Sequence, residues 1–173
     1  MLDVWNKDKF YKKTNFPSNK RKGPIFLEIP LDIQARNIEP SSLEIKIKDS
    51  LNCIDEKELK NVVGIIKSSH RPVILLGGGI DRKLIKEIYH LFEKTDIPIM
   101  TTWNGADRIG SEHPNYAGRP NNWGQRRSNI ILQQSDLLIA IGTRLGMQQT
   151  GFNWQEFIPI GKIIQVDIDK EEL

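Results

Sequence analysis

Between residues 55 and 69, apolar side chains recur at helical spacing: Leu59, Val62, Val63 and Ile66 fall on one side. Asp55-Glu56-Lys57-Glu58 opens this stretch as a capping box, with Asp in the Ser/Thr role. The period then changes. Val73-Ile74-Leu75-Leu76 is an unbroken aliphatic run, the pattern of a buried strand, and it ends in Gly77-Gly78-Gly79. Helical spacing resumes behind Asp81, with Leu84, Ile85, Ile88, Leu91 and Phe92 on the expected buried face. Ile97 to Thr102 predicts another strand, with Pro98 near its start, where a missing N–H costs least. Trp103 to Gln125 is rich in Gly, Asn and Pro and predicts a long loop, a feature that in compact domains usually serves function. A helix around Arg126–Ser135, a strand over Leu137–Ile141, a short helix at Trp154–Phe157 and a strand over Lys162–Asp167 complete the series. Strands alternating with helices predict an α/β fold, a doubly wound parallel sheet of the Rossmann-like kind.

The pattern is weaker before residue 51. Residues 1–22 are polar and basic, broken by Pro17, Ser18 and Asn19. Gly23 to Pro30 reads as a strand closed by proline, and Leu31 to Ser50 reads as a linker carrying Pro40-Ser41-Ser42. The main domain then starts near Leu51.

Composition narrows the possible functions. A chain of 173 residues with 38% hydrophobic and 27% charged residues can bury a core and matches an ordinary soluble protein. No run approaches the roughly 20 apolar residues of a membrane span. Met1 to Lys7 lacks an apolar signal core, so a cytoplasmic location is expected. The single cysteine, Cys53, excludes an internal disulfide and Cys-x-x-Cys chemistry. The net charge of +3 is concentrated at the start: residues 1–48 carry a net +4 and the remainder a net −1. No nucleic-acid-binding module accompanies that basic segment, so a solvated surface is the expectation and nucleic acid is not a predicted partner.

The chemistry is sparse. Gly77 and Gly79 fit Gly-x-Gly, but the third glycine of a dinucleotide fingerprint would fall at Arg82, and no Gly-Lys-Ser/Thr of a P-loop exists. The triple glycine leaves two readings open, a turn whose amides hold an anion and a tight strand-to-helix turn with no ligand. Arg144 stands three residues past a strand, placed for a phosphate or for a salt bridge. Asp167 ends the last strand, placed for ribose hydroxyls or for a turn. His70, His90 and His113 lack ligand spacing and read as surface residues. Trp103, Trp123 and Trp154 suit a cleft, an interface or the core. No catalytic set and no metal cluster is complete.

Four segments resemble a known family. Gly23-Pro24-Ile25-Phe26-Leu27-Glu28-Ile29-Pro30-Leu31-Asp32-Ile33-Gln34 is similar to the run that closes the pyrimidine-binding domain of thiamine diphosphate-dependent enzymes. Arg71 to Gly79 resembles the opening strand and turn of their central domain. Ser135-Asp136 to Gly142-Thr143-Arg144, and Gln165-Val166-Asp167-Ile168-Asp169, resemble two later segments of it. Within the family the pattern is that of the acetolactate synthase large subunits.

The resemblance implies that residues 1–34 are the tail of the pyrimidine-binding domain, 35–50 a linker, and 51–173 the central domain, cut short at its C-terminus. It implies a parent enzyme that decarboxylates a 2-keto acid on thiamine diphosphate and Mg2+, both held by flanking thiamine-binding domains outside this chain. The parent would be a homo-oligomer, and the piece alone inert. Acetolactate synthases also hold a structural FAD in the central domain. Carried over residue by residue, the candidates for it are Gly77, Gly78, Gly79, Thr102, Gly142, Arg144, Asp167 and Ile168. Trp103 and Asn104 stand where the family has Leu-Met. Trp123 replaces a histidine, and Leu145-Gly146-Met147-Gln148 replaces Phe-Asp-Asp-Arg. The matches fall mainly on the phosphate and ribose half of that site, and of the Thr-Leu-Met flavin contact only Thr102 is kept. Two alternatives stay open: a related decarboxylase or carboligase without flavin, and a stand-alone nucleotide-binding adaptor.

Overall fold

The computed structural model describes residues 28–37 and 54–173. The basic N-terminal segment, most of the strand expected before Pro30, most of the expected linker and Cys53 lie outside the described residues. In the first stretch, Leu31–Gln34 forms a single helical turn, α1, closed by the Ile33 and Gln34 amides donating to the Pro30 carbonyl (3.0 and 3.1 Å). That turn replaces the irregular chain expected from Leu31 onward.

Residues 54–173 form one compact unit. Its elements are α2 (Glu56–Ser68), β1 (Pro72–Leu76), α3 (Arg82–Phe92), β2 (Ile99–Thr101), β3 (Tyr116–Gly118), α4 (Arg126–Gln133), β4 (Leu137–Ile141), α5 (Met147–Thr150) and β5 (Lys162–Val166). The five strands make one all-parallel sheet in the order β3-β2-β1-β4-β5. Pro72 to Leu76 pair in register with Leu137 to Ile141, which pair in turn with Lys162 to Val166. This is the α/β, doubly wound, Rossmann-like architecture that the alternating pattern predicts.

Alternation along the central strands supplies two cores. Ile74, Leu76, Ile99, Leu137 and Ile139 pack with Ile85 and Phe92 of α3, and Ile65 and Ile66 of α2 lean on this cluster. Val73, Leu75, Met100, Leu138 and Ala140 pack with Leu132 of α4 and with Phe157 and Ile158. A strand buried on both sides must be apolar at every position, which is why β1 and β4 read as continuous runs.

Four expectations need correction. On α3, Leu84 and Leu91 are about half exposed, so the buried stripe is narrower than the apolar one. On α2 no residue is fully buried, and Leu59 and Val63 are exposed. Only the end of α2 that feeds β1 is held against the sheet. The long loop contains a strand, β3, too short for a periodic signal and joined to β2 through a register shift. His113 is buried rather than on the surface: its Nδ1 accepts from the Asn115 amide (3.1 Å), and its ring meets Tyr89 edge-on.

Both predicted helix starts are capped. The Asp55 carboxylate accepts from the Lys57 amide (3.3 Å), and that of Asp81 from the Lys83 amide (2.7 Å). Asp136 fastens the opposite, amino-terminal side of the sheet. Its carboxylate accepts from the Ser69 hydroxyl and from the His70 and Arg71 amides (2.8 and 2.9 Å). The Ser69 hydrogen bond, with the two amides, outweighs desolvation and lowers its pKa from 3.8 to about 2.

Candidate functional site

From β1 the chain winds through β2 to β3 on one side, then crosses back to β4 and β5 on the other. The carboxyl ends of β1 and β4 therefore flank the switch point, where open α/β sheets form a crevice for ligands. Gly77, Gly78 and Gly79 leave β1 there, and Gly142, Thr143 and Arg144 leave β4 there. The structure brings the glycine turn against Gly142 and Thr143, while Arg144 turns away to Glu172.

The two turns are packed backbone against backbone. The Gly77 amide donates to the Ile141 carbonyl (2.8 Å), and the Gly79 amide to the Gly142 carbonyl (2.9 Å). A Cβ on Gly77 would collide with the Gly142 carbonyl oxygen and come within 2.6 Å of Thr143 Cβ. Gly142 itself has φ +60°, a left-handed conformation that favours glycine, and its amide donates to the Val166 carbonyl (2.9 Å). On the other flank, the Thr102 amide donates to the Leu76 carbonyl (3.0 Å). The Thr102 hydroxyl accepts from the Gly105 amide (3.2 Å), capping the 3-10 turn Trp103–Gly105. Asn104 of that turn abuts Gly78.

Beneath the glycine turn lies Arg108, only 5% exposed. Its Nε donates to the Ile80 carbonyl (2.7 Å) and one Nη to the Gly78 carbonyl (2.8 Å), while the other pairs with Asp107. Asp107 also pairs with Arg82 at the start of α3. The Arg82 hydrogen bond holds the Asp107 carboxyl below its usual range, and the same contact raises the Arg82 guanidinium. Arg108 has no sequence signal. A lone arginine in a polar loop looks solvated until the tertiary fold turns backbone carbonyls toward it.

The remaining candidates spread along the β4–β5 rim. Arg144 is exposed, and its Nε pairs with Glu172 Oε1 at 2.8 Å, the salt-bridge reading of that residue. The Asp167 carboxylate accepts from the Asp169 amide (2.9 Å), as a turn former does, and Ile168 is exposed. Trp103, Trp123 and Trp154 are each exposed. Trp103 and Trp123 stand 6.2 Å apart by ring centroid, tilted by 36°. One residue past Arg144 begins an open apolar hollow of about 680 Å³, lined by Leu145, Met147, Phe152, Trp154 and Ile163 among others. Leu145, at φ +52°, holds a left-handed conformation uncommon for its type. Among the described residues no group of three or more His, Cys, Asp or Glu could hold a metal ion.

A dinucleotide diphosphate in such a crevice needs free amides, an uncompensated helix start or an unpaired cation. Here the Gly77 and Gly79 amides are engaged, and Asp81 caps α3. Arg82, Arg108 and Arg144 each face a carboxylate. These groups do not fit a diphosphate as they stand.

Comparison with known proteins gives this geometry a family. The chain is 33% identical over 157 residues to acetolactate synthase isozyme 1 large subunit of Escherichia coli, covering 88% of this chain and 27% of that protein. It is 34% identical over 160 residues to the probable acetolactate synthase large subunit of Methanocaldococcus jannaschii, with the same coverage of each. To the acetolactate synthase large subunit of Corynebacterium glutamicum it is 31% identical over 157 residues, covering 88% of this chain and 25% of the relative. The chain thus spans about a quarter of the length of these curated relatives. Residues 59–173 match the model of the thiamine pyrophosphate enzyme central domain, and with the parallel sheet that this stretch builds, the chain belongs to that family.

Proposed function

We propose that this chain is the middle part of an acetolactate synthase-like enzyme, which decarboxylates a 2-keto acid, pyruvate, and passes the two-carbon unit to a second keto acid. The single observation behind this reading is the family match over 59–173, reinforced by relatives named as acetolactate synthase large subunits. Thiamine diphosphate, held with Mg2+, would supply the nucleophilic carbon that adds to the keto group and the electron sink that takes up the pair left behind as CO2 departs. Both belong on flanking domains. The present domain joins them, and the 173-residue piece alone is inert. The full-length protein works in the cytoplasm as a homo-oligomer. Phe152 and Trp154, 86% and 64% exposed, support a contact surface on this domain.

The test is full-length protein given pyruvate, thiamine diphosphate and Mg2+, with CO2 release and acetolactate formation both measured. Absence of CO2 release from any 2-keto acid would sink the proposal. A second reading, a related carboligase with a different acceptor, is favoured by Leu145-Gly146-Met147-Gln148 standing where the resemblance expects Phe-Asp-Asp-Arg. CO2 release without acetolactate, restored to a coupled product by an added aldehyde, would select it.

A further inference from the structure

We infer that the switch-point crevice of this domain is closed by the chain's own groups, so that the protein takes no flavin or other dinucleotide there. The inference rests on the family reading only for the expectation of FAD. The closure is read from contacts in this chain.

Most of the groups that would hold a diphosphate are already engaged, and they are of three kinds. Two of the three glycine amides come first: Gly77 and Gly79 donate to the carbonyls of Ile141 and Gly142, and the packing that binds these turns leaves Gly77 no space for even a Cβ. An amide has one proton, so a phosphate oxygen would have to displace a backbone carbonyl. The helix start comes second. Asp81 places a carboxylate at the first turn of α3, and Asp107 is pinned beside it by Arg82. Negative side chains there satisfy the helix dipole that an anion would otherwise use, and they repel a second anion. The cations come third. Arg108 is buried, with Nε, both Nη groups and two backbone carbonyls joined in one bracket beneath Gly78 and Ile80. Pulling it toward a ligand would leave those carbonyls without their donor, in a place water reaches poorly. Arg144 is the cation most easily released, because its own side of the pair with the half-buried Glu172 is exposed and partly exposed pairs hold weakly. One exposed arginine is a poor substitute for the whole set.

The neighbouring Trp103 and Trp123 give a direct optical probe. Full-length protein is purified, examined for the visible flavin band, and titrated with FAD, ADP and inorganic pyrophosphate while tryptophan emission is followed. A colourless protein whose emission shows no saturable change is expected. A stoichiometric flavin, or saturable quenching by FAD or ADP at micromolar concentration, overturns the inference. The double variant Asp81→Asn with Glu172→Gln removes two of the opposing carboxylates, and it should show a saturable response to pyrophosphate that the wild type lacks. A variant as unresponsive as the wild type would overturn the electrostatic part of the closure.

Keto-acid turnover assayed on the same preparation separates the two proposals. Colourless, unresponsive protein that releases CO2 supports both. A flavin-bearing active protein overturns the closed crevice and leaves the enzyme reading intact. Colourless protein that turns over no keto acid supports the closure and sinks the enzyme reading.

Discussion

Gly77 and Gly64 are the same residue type under opposite constraints. Gly77 sits where two backbone turns touch, and an added Cβ would strike the Gly142 carbonyl. Gly64 lies mid-way along α2, with no atom within 4 Å of an added Cβ. Gly77→Ala should therefore destabilise the protein by about 3 kcal/mol, as overpacking against rigid backbone does. Gly64→Ala should stabilise it by about 0.5–1 kcal/mol, by removing backbone freedom from the unfolded chain. Urea unfolding of the two variants checks both signs. Asp136 acts at the same scale through its charge. With its pKa lowered from 3.8 to about 2 by Ser69 and two amides, the folded state favours the ionised form. That stabilisation is complete above about pH 4 and is lost as the pH falls toward 2. Asp107, lowered by Arg82, adds to the same acid branch. Melting temperature against pH should fall through this window, and Asp136→Asn should lower the neutral plateau while flattening the fall. An acid branch unchanged in Asp136→Asn would show that the hydrogen bonds from Ser69, His70 and Arg71 carry no stability.

At the scale of the element, α3 separates apolar from buried. Its apolar stripe spans Leu84, Ile85, Ile88, Leu91 and Phe92, yet Ile85 and Phe92 carry the packing. Phe92→Ala should cost about 3 kcal/mol by leaving a cavity in the cluster with Ile74 and Ile99. Leu91→Ala, at a half-exposed site, should cost about 0.5 kcal/mol or less. Similar losses from the two variants in chemical denaturation would contradict the assigned face. Periodicity shows that a helix exists because a 3.6-residue repeat survives in one dimension. Which part of a broad stripe meets the sheet depends on how the helix is docked, and no local pattern encodes that. β3 was invisible for a related reason. Tyr116 to Gly118 is stabilised by pairing with Ile99 and Met100, residues far away in the chain.

For the whole molecule, the order β3-β2-β1-β4-β5 is what turns two separate sequence features into one crevice. Gly77 and Gly142 lie 65 positions apart and meet because β1 and β4 are neighbours in register. If this domain is a joint, the 173-residue chain has no affinity for thiamine diphosphate, and calorimetry should give only the heat of dilution. A micromolar binding isotherm would contradict that role.

By itself the sequence determined the parallel α/β class, both helix caps, the buried strands and the family. Each of these depends on short-range periodicity, on a capping residue or on a motif read in order along the chain. The tertiary structure alone decided what the candidate residues touch: amides turned toward carbonyls at Gly77 and Gly79, a buried bracket at Arg108, a salt bridge at Arg144 and a buried ring at His113. The reason is physical. A side chain's type fixes the bonds it can make, but its partner is chosen by the strands and loops the fold brings beside it, and here those partners come from distant parts of the chain.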